Sequence, residues 1–331
     1  MKPEVRVMVP PQGADRGGFG NLSEAFKMHY APDVGKGQEL IAERGANIKG
    51  VITTGSFGLS RAQMRSLPKL EFVQTRGMGF EKLDLEAARE RKIVVANSPS
   101  VNFFSVAEHA MALLLAVVRD IPSYHESVHQ GRYEEARARP SRPLIYGKQI
   151  GILGLGDVGA GIAKRAVAFD ANVRYHNRNK RPDVSYEYVG SLLELAELSD
   201  ILMVSCPGGA ATRHIVNGEV LNALGPAGFL VNVGRGTVVD RDALVSALNE
   251  KRIRGAAVDV IEGEPDVPDA VLSTQSLIIT PHIAANSPES RTASVDNIIA
   301  DLKAHFAGEP VKARSRSTPA RRSAPRRCTA K

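Results

Sequence analysis

The stretch Lys148-Gln-Ile-Gly-Ile-Leu-Gly-Leu-Gly-Asp-Val-Gly159 decides how this chain folds. Its first half is a short apolar run bounded by glycine, the pattern of a strand buried on both faces. Its second half, Gly154-x-Gly156-x-x-Gly159, opens an amphipathic stretch that reaches Phe169. A strand, a G-x-G-x-x-G turn and a helix together form a cradle for a dinucleotide. Gly154 permits the tight turn, Gly156 lets the backbone approach a pyrophosphate, and Gly159 lets the helix pack on the sheet. Asp157 and Val158 lie inside the cradle. The N–H groups and dipole of the helix N-terminus favour the negative charge. The competing reading is a strand-to-helix turn that uses glycine only for packing.

Outward from this turn, apolar runs alternate with helix-like stretches in both directions. Residues 5–10, 26–31, 48–54, 70–75 and 93–97 read as strands, with helices over 37–44, 60–67 and 83–91. A long amphipathic helix is expected at 101–119, then a loop rich in Arg, Glu and Pro at 131–143. The alternation restarts with strands at 148–154, 171–177, 200–206, 228–234, 253–260 and 277–282. Helices fit 156–169, 191–198, 218–223, 241–251 and 288–306. Two such series predict an α/β protein with two doubly wound parallel-sheet domains.

The 331 residues are 43% apolar, enough for a sizeable core. No apolar run is long enough to span a bilayer, and residues 1–11 do not read as a signal peptide. No membrane partner and a cytoplasmic location are the expectation. Two cysteines, Cys206 and Cys328, give neither a disulfide framework nor metal-ligand spacing; Cys206 ends an apolar run and reads as a buried small residue. The net charge of +7 suggests a nucleic-acid partner, but eight of the Lys and Arg residues fall in 312–331, which has no acid. Without those eight the chain carries 35 basic and 36 acidic residues. The body is near neutral, nucleic-acid binding is not expected of it, and residues 313–331 read as a disordered basic tail.

The end of the strand after the glycine turn reports on the cofactor. An NAD site usually has Asp or Glu there for the ribose 2′-OH. Here Tyr175-His-Asn-Arg-Asn-Lys-Arg181 has no carboxylate and three cations. Asn177 and Arg178 therefore favour NADPH, since Arg178 can fork onto a 2′-phosphate. NADH remains open, the loop then being a solvated one beside a site without its usual acid.

Three polar residues stand at strand ends in the second series: Arg235 after 228–234, Glu264 after 253–260, and His282 at the end of 277–282. Ligands of open parallel sheets bind beyond the carboxyl ends of the strands. A guanidinium there can hold a carboxylate and polarise a carbonyl, and an imidazole can supply a proton. A carboxylate on the other ring nitrogen orients that imidazole and raises its pKa. Taken singly, each residue has a bland reading: a satisfied polar strand end, a turn former, an Arg bound to nearby carbonyls.

The segments GILGLGDVG, VNVGRGTVVD, AAVDVIEGEP and TPHIA, with RGMGFEKLDL and ANSPSVNFFSVAEHA, closely resemble the D-isomer-specific 2-hydroxyacid dehydrogenases, in order and spacing, over most of the chain. The resemblance implies that Arg235, Glu264 and His282 are catalytic and that Asp259 contacts the nicotinamide amide. It places Cys206, Pro207, Thr212 and Val233 beside the cofactor, and it makes Met78 and Gly79 a backbone grip for the substrate carboxylate. Arg76 departs from the small or apolar residue expected there and suits anionic or hydroxylated substrates, or plain solvation. Pro207-Gly-Gly-Ala-Ala-Thr212 and Asn177-Arg178 also depart from the common pattern, the latter toward the NADPH-linked glyoxylate and hydroxypyruvate reductases.

The implied architecture is a Rossmann-type cofactor domain, 100–285, inserted in a flavodoxin-like substrate domain made of 1–99 and 286–312. Crossings near Pro99 and Ala285 would act as a hinge, and residues 13–21 would shape the pocket. The implied activity is NADPH-dependent reduction of a small 2-keto acid to the D-2-hydroxy acid by a homodimer. The alternative is an NAD(P)-sensing interaction protein of corepressor type, against which the intact Arg235, Glu264 and His282 argue.

Overall fold

Near-continuous apolar strands flanked by amphipathic helices assemble here into two parallel sheets. A computed structural model describes residues 2–8, 22–30, 34–55 and 57–311. The expected tail at 313–331, the loop at 13–21 and the outer ends of the first two expected strands lie outside the described residues. The chain divides into two compact units, Met1–Asn102 with Pro288–Lys331, and Phe103–Ser287.

The first unit holds β1 (Glu4–Val7), β2 (Lys27–Tyr30), β3 (Ile48–Thr53), β4 (Phe72–Thr75) and β5 (Val94–Ala96), parallel in the order β2-β1-β3-β4-β5. Side chains alternate between its two faces. Val51, Val73 and Val95 pack with Leu59, Met64 and Leu67 on one side. Ile52, Phe72 and Val94 pack with Ile298 and Leu302 of the helix Pro288–Ala307 on the other. The chain's last helix therefore belongs to the unit built by its first hundred residues.

The second unit holds β6 (Gln149–Leu153), β7 (Asn172–His176), β8 (Glu187–Tyr188), β9 (Ile201–Val204), β10 (Phe229–Asn232), β11 (Gly255–Val258) and β12 (Leu277–Ile279). Their order is β12-β11-β10-β9-β6-β7-β8, all parallel. From β6 the chain winds first to β7 on one side and then back to β9 on the other. The crevice beyond the carboxyl ends of β6 and β9 is thus a topological switch point, where open α/β sheets bind ligands. The helix Phe103–Arg119 buries Val106, Ala107, Ala110, Met111, Leu113, Leu114, Val117 and Val118, a stripe at helical period that covers one face of this sheet.

Three expectations need correcting. The segment expected to be a loop at 131–143 contains the helix Tyr133–Arg137, whose acids Glu134 and Glu135 fall in the first turn and Arg137 in the last, as the helix dipole favours. A helix not expected at all, Ile121–His129, follows the long one after a break at Asp120, which sits at φ +54°. The two-residue strand β8 also escaped the sequence pattern, being too short to show alternation. Among the described residues no helix is long and apolar enough to cross a membrane.

Candidate active site

The glycine turn closes against the next two strands. Gly154 sits at φ +97°, where a Cβ would come within 2.5 Å of the Cys206 backbone nitrogen, so no other residue fits. A Cβ on Gly159 would meet the Gly154 carbonyl oxygen at 2.2 Å, which is the close helix–turn contact. Gly156 differs: nothing lies within 4 Å of where its Cβ would be. It precedes the helix Asp157–Ala168, whose N-terminus no side chain caps. This is a cradle shaped for close approach to a backbone, with orientable N–H donors beneath it. The residues present fit a dinucleotide pyrophosphate.

Asn177 is drawn into the turn itself, its Oδ1 accepting from the Leu155 N–H at 2.6 Å. Arg181 donates to the Leu155 carbonyl oxygen at 2.9 Å and pairs with Asp183. Arg178 and Lys180 stand exposed, and Arg178 forms no ion pair or hydrogen bond among the described residues. Cys206 is buried behind the turn, and burial pushes its thiol up to about 11; this sulfur is a packing atom rather than a nucleophile. Thr212 closes the loop after β9 by donating from Oγ1 to the Pro207 carbonyl oxygen at 2.8 Å. Val233, 8% exposed, donates its N–H to the Val204 carbonyl oxygen at 3.0 Å, extending the β9–β10 register by one residue.

Arg235 follows β10 and is steered from three sides. Asn232, buried at the strand end, accepts from the Gly234 N–H at 3.0 Å and donates to the Arg235 carbonyl oxygen at 3.2 Å. Gly208 lacks a Cβ that would lie 2.9 Å from Arg235 Cγ, so the loop after β9 packs along the arginine stem. Gly236 leaves room for the Ile261 backbone, which a Cβ would meet at 2.3 Å. The guanidinium Nη1 donates to the Gly234 carbonyl oxygen at 2.8 Å.

Glu264 and His282 meet directly. The carboxylate Oε1 lies 2.6 Å from His282 Nδ1, and Oε2 accepts from the Ile261 N–H at 3.2 Å. A carboxylate cannot donate when ionised, so Nδ1 carries its hydrogen and Nε2 is left for proton exchange. The hydrogen bond that His282 donates to Glu264 holds the His282 pKa above the ordinary imidazole value, against burial and the Arg235 charge. The Gly236 turn packs on the Ile261 backbone, whose N–H is bonded to Glu264, so the loop that carries the guanidinium adjoins the pair. Arginine, glutamate and histidine are brought together within the second unit.

His282 sits at φ +54°, a conformation that needs external support in a residue other than glycine. The support is Asp259, 1% exposed at the end of β11. Its Oδ1 accepts from Thr280 Oγ1 at 2.6 Å and the Ile283 N–H at 2.9 Å, and its Oδ2 accepts from the Ala284 N–H at 2.9 Å. The His282 N–H bonds the Asp259 carbonyl oxygen at 2.9 Å. His109, on the long helix, completes the web: Nε2 lies 2.9 Å from Thr280 Oγ1. Because the threonine hydroxyl donates to Asp259, His109 must donate to it. Asn232, His109 and Thr280 were not singled out from the sequence. Only the unusual polarity of Asn232 at the end of an apolar run hinted at one of them. Asp259→Ala is expected to strand the buried Ala284 N–H and the partly buried Ile283 N–H and to cost about 3 kcal/mol; urea unfolding would measure it.

In the first unit, Met78 and Gly79 follow β4 in an exposed loop, with Met78 50% exposed. The loop is pinned by Asn97 Nδ2 donating to the Met78 carbonyl oxygen at 3.1 Å and by the Ser98 N–H on the Gly77 carbonyl oxygen at 3.2 Å. The N–H groups of Met78 and Gly79 donate to nothing among the described residues. Arg76 is partly buried at the root of this loop, its carbonyl oxygen accepting from Ser294 Oγ at 2.8 Å.

A switch-point cradle for a dinucleotide and an imidazole–carboxylate pair beside a guanidinium define a nicotinamide-dependent oxidoreductase. Residues 111–284 match the family model of the D-isomer specific 2-hydroxyacid dehydrogenase, NAD binding domain. The chain is 39% identical to a hydroxyphenylpyruvate reductase of Plectranthus scutellarioides, over 88% of this chain and 92% of that one. It is 39% identical to a glyoxylate/hydroxypyruvate reductase A of Arabidopsis thaliana, over 80% and 84%. Among solved structures, an NADPH-dependent glyoxylate/hydroxypyruvate reductase of Sinorhizobium meliloti in complex with NADP and malonate superposes with a TM-score of 0.87 at 36% identity, covering 98% of this chain and 100% of that one. The chain belongs to the D-isomer-specific 2-hydroxyacid dehydrogenase family.

Proposed function

We propose that this enzyme reduces a small 2-keto acid, glyoxylate, hydroxypyruvate or one close to them, to the D-2-hydroxy acid, with NADPH preferred over NADH. The carrying observation is the His282–Glu264 hydrogen bond beside Arg235 in the unit that bears the glycine cradle. The bound cofactor, held by Gly154, Gly156 and Gly159 with Asp157 and Val158, supplies the hydride. Arg235 binds the substrate carboxylate and steadies charge growing on the carbonyl oxygen. His282 gives that oxygen a proton from Nε2 while Glu264 holds Nδ1 and stabilises the protonated ring. The unused Met78 and Gly79 N–H groups of the first unit are of a kind that suits a carboxylate. Asp259 keeps the His282 loop in register for this work. The names of the relatives favour glyoxylate and hydroxypyruvate.

The NADPH preference rests on Arg178 and Lys180, exposed beyond β7 with no acid taking the place of the usual ribose ligand. Arg178→Ala is expected to raise KM for NADPH about tenfold while leaving KM for NADH nearly unchanged, as the loss of one charge-assisted fork implies. A matrix of kcat/KM values, NADH and NADPH against a keto-acid panel, tests both halves of the reading. Equal losses for the two cofactors would remove Arg178 from its role. Tight NADPH binding with no turnover on any keto acid would instead mark a sensor. Assembly as a homodimer is part of the reading: Phe104, Ile121, Tyr133, Leu144 and Tyr146 of the second unit are each more than half exposed, apolar side chains of the kind a second copy would cover.

A further inference from the structure

We propose that Arg6 and the N-terminus of the helix Val34–Arg44 bind a phosphate group, free or carried by a small molecule, at a site within the first unit that the reductase reading does not use. Arg6 is the third of four residues in β1 and is 3% exposed. A cation buried in a strand ordinarily has an acid or carbonyl partner. Arg6 has none among the described residues: its Nε and Nη1 are buried without an acceptor, and it joins no ion pair. The acid on the same strand face, Glu4, is already engaged, accepting from His29 Nε2 at 2.8 Å and Lys27 Nζ at 3.3 Å. Burial pushes the Arg6 pKa down, with no neighbouring carboxylate to raise it.

The surroundings of Arg6 say what is missing. It pairs in register with Val51 of β3, and so shares the sheet face on which Ile41 of the helix Val34–Arg44 packs. A Cβ on Gly37, the fourth residue of that helix, would collide with Arg6 Nη2 and lie 3.4 Å from Cζ. Helical Cβ positions tilt toward the N-terminus, so the guanidinium lies against the first turn. The first four N–H groups of a helix have no acceptor within it, and this first turn carries no acid. An unpaired guanidinium at the positive end of a helix dipole is doubly unfavourable. An oxyanion between the two reverses both costs, accepting from the backbone N–H groups and from the guanidinium. The sheet order points to the same place. From β1 the chain goes to β2 on one side and returns to β3 on the other, so the carboxyl ends of β1 and β3 form the switch point of this sheet. Arg6 stands one residue from that end of β1.

The test is titration calorimetry of the full chain, saturated with NADPH, against inorganic phosphate and glycerol 3-phosphate at constant ionic strength in chloride. The wild type is expected to bind at least one of them. Arg6→Met should weaken that binding about tenfold, the scale of losing one charge-assisted fork, and Arg6→Lys should keep part of it. Gly37→Ala should weaken it similarly, because the helix tolerates alanine while the added methyl takes the place of Nη2. Phosphate held by Arg235 would be untouched by either change. A thermal melt adds a sign. Without phosphate, Arg6→Met should melt no lower than the wild type, since an unpaired buried cation is gone; phosphate should raise the midpoint of the wild type and not of the variant. Glycerol 3-phosphate binding as tightly as inorganic phosphate, or more so, marks a phosphorylated small molecule as the occupant; binding of inorganic phosphate alone marks the free ion. No binding of either in the wild type, or affinities unchanged in both Arg6→Met and Gly37→Ala, would overturn the site. Should Arg6→Met fail to fold, Gly37→Ala decides. The readout is binding rather than turnover, so failure of the reductase reading would leave the result standing.

Discussion

Arg235→Gln is expected to lower kcat/KM for the preferred keto acid by about a thousandfold, the scale of losing one preorganised donor at a developing oxyanion. Glutamine keeps much of the stem and a neutral donor but loses the charge and the fork. The loss should fall on kcat as well as KM, because the guanidinium meets more negative charge in the transition state than in the bound keto acid. Folding should be little affected. The backbone at this position is held by Asn232 through its contacts with Gly234 and Arg235, independently of the arginine side chain. An unchanged thermal midpoint beside a collapsed rate would therefore separate catalysis from stability. Arg235→Lys should recover only part of the rate, since a point charge cannot reproduce a planar fork.

Removing the proton donor should be nearly as damaging. His282→Gln is expected to reduce kcat by roughly 10²–10⁴, the range for general acid–base groups. The sharper test lies in the pH profile. Reduction consumes the protonated ring, so its rate should hold at low pH and fall as pH rises through the His282 pKa. Glu264 raises that pKa by hydrogen bonding the ring. The wild-type fall should thus lie above the ordinary imidazole value of about 6.5, and Glu264→Gln should bring it down toward that value. Oxidation of the hydroxy acid needs the neutral ring and should show the mirror image, a rise with pH that moves the same way in the variant. A fall that stays in place in Glu264→Gln would remove the carboxylate from its role.

The features that could be read from the sequence are those set by neighbours in the chain. The glycine turn is legible because Gly154, Gly156 and Gly159 act close together in the chain, and the parallel sheets because their central strands are buried on both faces and largely apolar. The elements missed have weaker local signals. Residues 121–129 follow a helix directly, and the break at Asp120 rests on a left-handed backbone that the pattern of side chains does not announce. The helix 133–137 is short and charged enough to pass for a loop. The anchoring of His282 was beyond reach for another reason. Asp259 reaches Ala284 across 25 residues and His109 reaches Thr280 across 171, so only the folded sheet brings them together. Asp259 could be assigned to the site from its motif, but not the backbone N–H groups that it holds.

The most direct measurement is NADPH consumption at 340 nm with hydroxypyruvate across a range of pH, with wild type, His282→Gln and Glu264→Gln side by side. Steady turnover is expected in the wild type, near silence in the histidine variant, and an alkaline fall displaced to lower pH in the glutamate variant. Wild-type rates retained after loss of the imidazole would contradict the role of His282.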